Sequence, residues 1–592
     1  MIMKRIYLVA ASVLLASAVS FGQNFNPTVE VTNVYQGNAS EVRKPSMKMN
    51  VPDSLLRFDL DFDYEVFDKP YQGAYSFKPY MLNMRPEKDA WRGRRLYLKA
   101  GVGYTLHPRL EFVFSPEQSG PFQMSVYASH RSYFGNYHEL RPVNADGLYR
   151  LDKTGKGFGG RDALTSAGFD GRYSWDKAIL SFGVGYYGVS AKDTVMSRSY
   201  NAFDFNARIR SNTVSEKYFL YDVGLKGRIA NDRLDYASQV FPDKVTVDGQ
   251  NESCFILDGL AGPMFGGGNS FLVGFECETA SYTRFYDGNI GRIALVPSYR
   301  LKSGRWNLNL GVRFELMFRG DASDTLSFRR MSGGNGQIVY PEAHVAFAAG
   351  RSVELYADAT GGNRLVTYSS QISECRHLNP SFLRSRKSES MIPLTDNTVE
   401  KLNARIGVRG NVNSVFLFDV NGGAGVYANA VMESGLFTAE ENLVPVVAYS
   451  DINILYANAL LGIKTGRVAV DADFRFRSVT FSGKEKQNLG FALPAYSGEL
   501  RARYDMTSRL YAGLAVEATS WREGKCAFAA SDEILKVRIP GYVDLGVDCG
   551  YRFNRKLELW LESGNLLFQT VRRNPFYAEK GPWVTAGLTL SL

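Results

Sequence analysis

Cysteine and histidine are scarce in this chain, five of each among 592 residues. The cysteines (Cys254, Cys277, Cys375, Cys526, Cys549) are odd in number and far apart, which excludes a disulfide scaffold and the paired spacing of a structural metal site. The histidines share no ligand spacing. No Ser/His/Asp grouping, phosphate-binding glycine loop or paired-carboxylate site stands out, so the sequence nominates no catalytic residue, metal or cofactor, and an enzyme is not expected. Apolar runs long enough to cross a membrane as a helix are missing after the first two dozen residues. Concentrated basic charge is missing too. The net charge is +9, but Lys and Arg are spread over turns and polar strand faces, so nucleic acid is not an expected partner.

At the start, Lys4-Arg5, an apolar run from Ile6 to Val19 and Ser20-Phe21-Gly22 read as a secretory leader spanning residues 1–22. Ala16-Ser17-Ala18 offers a second cleavage site, and no cysteine nearby suits a lipid anchor. Residues 23–93 are rich in proline and poor in long alternating runs, and form an expected N-terminal periplasmic or lumenal segment. Within it, Asp59, Asp61, Asp63 and Glu65 share one face of an alternating strand, Phe58–Val66. That face is open to three readings: solvated, docked on lumenal arginines, or binding calcium, the last lacking the glycine that turns a calcium loop.

From residue 94 to 592 glycine and aromatics are plentiful, and apolar residues alternate with polar ones over segments of about ten residues, the pattern of a transmembrane β-barrel. Leu402, Ala404, Ile406 and Val408 oppose Asn403, Arg405 and Arg409. Val468, Val470, Ala472, Phe474 and Phe476 oppose Asp471, Asp473, Arg475 and Arg477, and Leu500, Ala502 and Tyr504 oppose Glu499, Arg501 and Arg503. A charge on the lipid face costs about 2–4 kcal/mol near the midplane, so charges gathered on one face point to a lumen. Short polar turns alternate with longer connections, and the count is about 22 antiparallel strands. A soluble sandwich of so many strands in one sheet is unusual. Alternation puts Cys254 and Cys277 on opposite faces of one hairpin, and Cys549 on a lipid face.

The ending carries a family resemblance. Ile539-Pro540-Gly541-Tyr542-Val543-Asp544-Leu545-Gly546, Tyr551-Arg552-Phe553-Asn554 and Glu562-Ser563-Gly564-Asn565-Leu566-Leu567-Phe568 resemble the close of a TonB-dependent receptor barrel. The chain departs from that family by ending on Leu592 rather than an aromatic, and by showing no plug-like pattern before Arg95. The resemblance implies residence in the outer membrane of a Gram-negative bacterium, in contact with its lipid, and a role in solute transport. It also implies that Thr28-Val29-Glu30-Val31-Thr32 sits where an energy-coupling partner's strand edge would pair. So wide a barrel needs filling, by the N-terminal segment, by folded-in loops or by an envelope partner acting as plug. The alternative function is a non-transporting structural or assembly component, a filled barrel that serves as a platform. The loop 362–397, with Arg376, His377, Arg384, Arg386 and Lys387, is expected to be solvated or to bind an acidic ligand.

Overall fold

A computed structural model describes residues 59–61, 83–85 and 95–592, apart from segments within connections, the longest being 237–248, 321–337 and 379–394. Thr28–Thr32, Asp63 and Glu65 lie outside the described residues. Of Asp59 and Asp61 only the backbone is described, in a short strand Asp59–Asp61 that pairs antiparallel with Asn83–Arg85.

From Leu96 onward the sheet closes on itself. Twenty-four strands belong to it, and two of them, Arg522–Phe528 and Ile534–Ile539, form a hairpin that leaves the wall. The flanking strands Leu510–Thr519 and Tyr542–Arg552 pair directly beneath that hairpin, so the barrel proper has 22 strands. Closure is made by the last strand, Trp583–Ser591, against the first, Leu96–Gly103. The amide of Leu592 donates to Leu96 O at 2.9 Å, and Leu592 O accepts from Leu96 N at 2.9 Å. A closed sheet of this kind satisfies every ladder hydrogen bond internally, as the hydrocarbon demands.

Alternation decides the two faces. On Trp306–Gly320 the outward Trp306, Leu310, Val312, Phe314 and Leu316 are exposed, whereas Arg313 and Glu315 are buried inside. Exposed aromatics flank the apolar belt near both rims: Trp175, Tyr218 and Trp306 at the turn end, and Tyr104, Tyr496 and Trp521 at the other. In the closing hairpins Leu559, Leu561, Val584 and Leu588 face out, while Trp560 turns inward under Lys99, whose Nζ lies 4.4 Å from the ring. Gly101 and Gly587 make room for that indole, since a Cβ on either would lie within 2.5 Å of it. Register places Cys254 opposite Ala280 and Cys277 opposite Leu257, so the two thiols do point to opposite faces.

The closing-turn motif has a definite geometry. Asn565 adopts φ +52°, a value asparagine tolerates, and its side chain brackets Gln569, accepting from Gln569 N at 2.9 Å and donating to Gln569 O at 2.8 Å.

Candidate functional site

Short turns gather at the rim that carries Arg95 and Leu592, and the long connections rise from the opposite rim. There the strand Val353–Val366 breaks register between Thr360 and Gly362. Gly362 has φ +145°, and a Cβ there would stand 3.1 Å from both Arg313 Cδ and Glu315 Oε1. Only glycine allows the chain to pass this close to the wall. Immediately beyond it, Glu315 accepts from Asn363 N at 2.5 Å and Asn363 Nδ2 at 2.9 Å, while Arg292 and Arg313 neutralise the carboxylate at 3.1 and 3.2 Å.

The chain then forms a helix, α1 (Tyr368–Glu374), with Tyr368, Ser369, Gln371 and Ile372 buried. Thr367 caps it, Oγ1 accepting from Ser370 N at 3.2 Å. A second acceptor comes from the wall: Glu252 takes Ser369 N at 3.1 and 3.2 Å and also the Ser369 hydroxyl. A carboxylate at the first turn satisfies donors a helix leaves unpaired and complements its dipole.

Past α1, Arg198 holds the chain. Its guanidinium, 0% exposed, bonds Asp232 at 3.0 Å and donates to the carbonyls of Arg376 and Leu378, each at 2.7 Å. Tyr368 OH donates to the same Asp232. Arg376 pairs with Asp162, and the buried His377 ring stacks on Tyr577 at 3.6 Å between centroids. Burial first, then Arg376 and Arg198, hold the His377 imidazole well below its usual range. Burial also pushes the Cys375 thiol up to about 12, and Asn574 Nδ2 lies 2.8 Å from its sulfur. Tyr368, Ile372 and Leu378 join Tyr200, Tyr282, Ile290 and Val447 in one apolar core that ties the loop to the inner wall. The loop expected to be solvated is therefore internal over its described part, because burying its apolar face and pairing its charges inside is more favourable than exposing both. Arg384, Arg386 and Lys387 lie outside the described residues.

Three hairpins complete the cover. The Arg522–Phe528/Ile534–Ile539 hairpin pairs in parallel with the tip of Phe416–Phe437 on one side and with Leu148–Ser174 on the other. Its inner face packs Cys526, Leu535, Val537 and Ile539 against Leu151 and Phe491. Phe491 N donates to Glu433 O at 2.9 Å and Ala492 N to Glu523 O at 3.1 Å, stitching a further connection beneath it. Near the rim, Lys580 Nζ lies 2.7 Å from His107 Nε2, and burial pushes the ammonium down to about 7 despite Glu579 and Asp162.

The candidate lumenal charges lie on the inner face, away from exposed Leu402, Ile406, Phe474 and Tyr504. Five of the six arginines have a carboxylate at hand on this wall: Arg405 Nε on Asp358 at 2.8 Å, Arg409 Nε on Glu354 at 2.8 Å, Arg475 Nε on Asp473 at 3.1 Å, Arg501 Nε on Glu499 at 2.6 Å, and Arg503 on Asp505 at 3.2 Å. Asp471 is the ladder partner of Arg501, and Arg477 is buried. These pairs neutralise one another in place, which leaves little unbalanced charge to draw an acidic strand. Arg198, Asp232 and Glu252 went unnoticed in the sequence, where each looks like any other inward charge on an alternating strand.

No sequence-family model and no curated protein sequence matches the chain. Solved structures do match in fold. The copper transporter OprC superposes at a TM-score of 0.59 with 14% identity, over 86% of this chain and 82% of that one. In fold, the chain is similar to TonB-dependent receptors. The ferripyoverdine receptor of the outer membrane of Pseudomonas aeruginosa gives 0.58 with 12% identity over 86% and 73%, and the siderophore receptor PirA from Acinetobacter baumannii 0.57 with 11% over 84% and 80%. This receptor-like fold supports an outer-membrane location, and the apolar belt is the surface such a barrel presents to lipid.

Proposed function

We propose that this protein is an outer-membrane transport barrel that admits a solute through a mouth closed by its own loops. The cover carries the proposal. α1 and the hairpin tips occupy the place where an open pore would leak; α1 is held by buried charged side chains of the wall, and the tips meet only by short parallel pairings. A device of that kind closes a passage reversibly. The short turns then face the periplasm and the cover faces outside, as in receptors of this fold. An envelope partner supplies energy through Thr28–Thr32, and no separate plug domain is needed. In planar bilayers the intact protein is expected to be silent, whereas deletion of residues 367–378 together with the hairpin 522–539 opens a conductance. Silence of both forms, together with unchanged solute uptake in cells lacking the protein, overturns transport.

One observation favours the second reading, a filled barrel serving as a platform: the Arg198–Asp232 pair is fully buried, and undocking the loop takes two carbonyl acceptors from Arg198 and the Tyr368 hydroxyl from Asp232. Stoichiometric co-purification of an envelope protein that survives deletion of residues 28–32 supports that alternative.

A further inference from the structure

The hairpin over the mouth has two unlike faces. Its inner face is apolar and packed on Phe491, where Gly524 leaves the ring room that a Cβ would take at 2.5 Å. Its outer face carries opposed cations. Register sets Lys525 directly across from Lys536 on the antiparallel side, and Arg538 directly across from Arg150 on the parallel side. Lys536 and Arg538 are two residues apart on one strand, so all four side chains emerge together, within about 12 Å, two strand spacings across and two residues along.

Like charges placed opposite one another destabilise a ladder, and natural sheets avoid them. Two carboxylates share this face. Glu523 bonds Arg538 Nε at 2.8 Å and lies 3.8 Å from Lys536, and Asp152 lies 3.0 Å from Arg150. Among the described residues of this face, four cations against two anions leave an excess of two positive charges. The side chains of Lys536, Arg538 and Arg150 are 63%, 43% and 58% exposed, so this excess is presented to the outside. The Arg538 guanidinium also rests on the Trp521 ring at 4.7 Å, which fixes its plane. Neutral residues at Lys525 and Lys536 would leave the apolar packing intact, since that packing lies on the other face.

We propose that Lys525, Lys536, Arg538 and Arg150 form a docking site for a soluble polyanion bearing phosphate or sulfate groups. Such a ligand bridges the opposed pairs and removes the repulsion, and a guanidinium beside an ammonium suits tetrahedral oxyanions. The site is independent of whether the barrel conducts, because binding is measured on the intact protein at equilibrium.

The test is calorimetric titration of the full-length protein, in detergent and in lipid nanodiscs, with inorganic pyrophosphate. Saturable binding that weakens with salt is expected. The Lys525→Gln/Lys536→Gln and Arg150→Gln/Arg538→Gln pairs should each weaken it about tenfold or more. Pyrophosphate should also change the fluorescence of the wild type but not of Trp521→Phe. Thermal stability separates docking from a structural role: Lys536→Gln should leave the melting temperature unchanged or raise it. No saturable binding at low salt, undiminished binding in both double variants, or a melting temperature lowered by Lys536→Gln overturns the proposal. Binding lost in anionic nanodiscs but kept in neutral ones assigns the site to lipid headgroups and overturns a soluble ligand.

Discussion

Replacing Arg198 by Met keeps most of the side chain's bulk and removes its charge. Asp232 then remains buried with Tyr368 OH as a partner, and the carbonyls of Arg376 and Leu378 lose the donors they accept from at 2.7 Å. Breaking one side of a buried ion pair costs on the order of 3–5 kcal/mol, because the other charge stays behind without its counterion. The penalty falls on the docked loop, since Arg198 touches the wall through Asp232 and the loop through two carbonyls and Tyr368. At about 1.4 kcal/mol per decade, the open fraction of the loop should rise roughly 100-fold or more.

Amide hydrogen exchange followed by mass spectrometry reads this directly. Peptides covering residues 367–378 should lose two or more decades of protection, while Leu96–Gly103 and Trp583–Ser591, at the seam, should keep theirs. A compensating Asp232→Asn, added to the first change, should recover part of the loss because no unpaired charge is then buried. Unchanged protection in 367–378 would refute a latch. So would equal loss across the seam, which would make Arg198 a residue of the whole barrel and not of the loop.

The neighbourhood of His377 makes the same loop acid-sensitive. Its imidazole faces Tyr577, Asp193, Arg376 and Arg198, and it is held neutral, below its ordinary pKa of 6.5. The opened loop therefore binds a proton below pH 6.5 that the docked loop does not, so docking weakens as pH falls from 6.5. Protection of 367–378 should drop between pH 7 and pH 5 (about two units, on the acid side of an ordinary imidazole), and His377→Gln should flatten that drop. Gly362→Ala should cost about 1–3 kcal/mol in the approach to α1, from a left-handed φ and a crowded Cβ, seen as faster exchange at 363–378 with an unaltered barrel. Leu561→Arg places a charge on the lipid face in the middle of its strand, where it should cost about 2–4 kcal/mol, measured by denaturant titration of refolding into phospholipid bilayers.

The barrel was legible because its cause is local and repeated. Each strand sorts its own residues between lipid and lumen, so period-2 alternation on Val468–Phe481 or Trp306–Gly320 carries the whole decision within a dozen residues. Even the seam is written at the chain's end, where Trp583–Ser591 alternates as sharply as any interior strand. The cover is different in kind. The helix α1 has seven residues, too few to show an amphipathic period, and its docking depends on charges about 110 to 180 positions away in the chain. Nothing about Arg198 or Glu252 distinguishes a residue that grips a loop from one that faces water. The basic residues of the 362–397 connection look solvated for the same reason: their partners, Asp162 for Arg376 and Asp193 for His377, sit on a distant strand and in a distant turn.

That division has a consequence for function. A wall made by local alternation tolerates change in its connections, because the hydrogen-bond ladder is complete without them. Loops above it are free to be long, and here they close the mouth with two sets of contacts of different strength. The hairpin tips meet by a few backbone pairs, two residue pairs on each side of Arg522–Ile539. Beneath them, α1 is held by buried charge. Opening in that order, tips first and then the latch, lets a ligand at the outer face loosen the weak layer before the strong one is challenged. A ligand that shifts only the tips cannot open the lumen, since Arg198 keeps the second layer shut. Disabling Arg198 alone should likewise leave conductance low while the tips remain knit, and combining Arg198→Met with removal of residues 522–539 should open it. Conductance in the single variant equal to that of the combined one would mean the two layers are one, and that the hairpin contributes nothing to the seal.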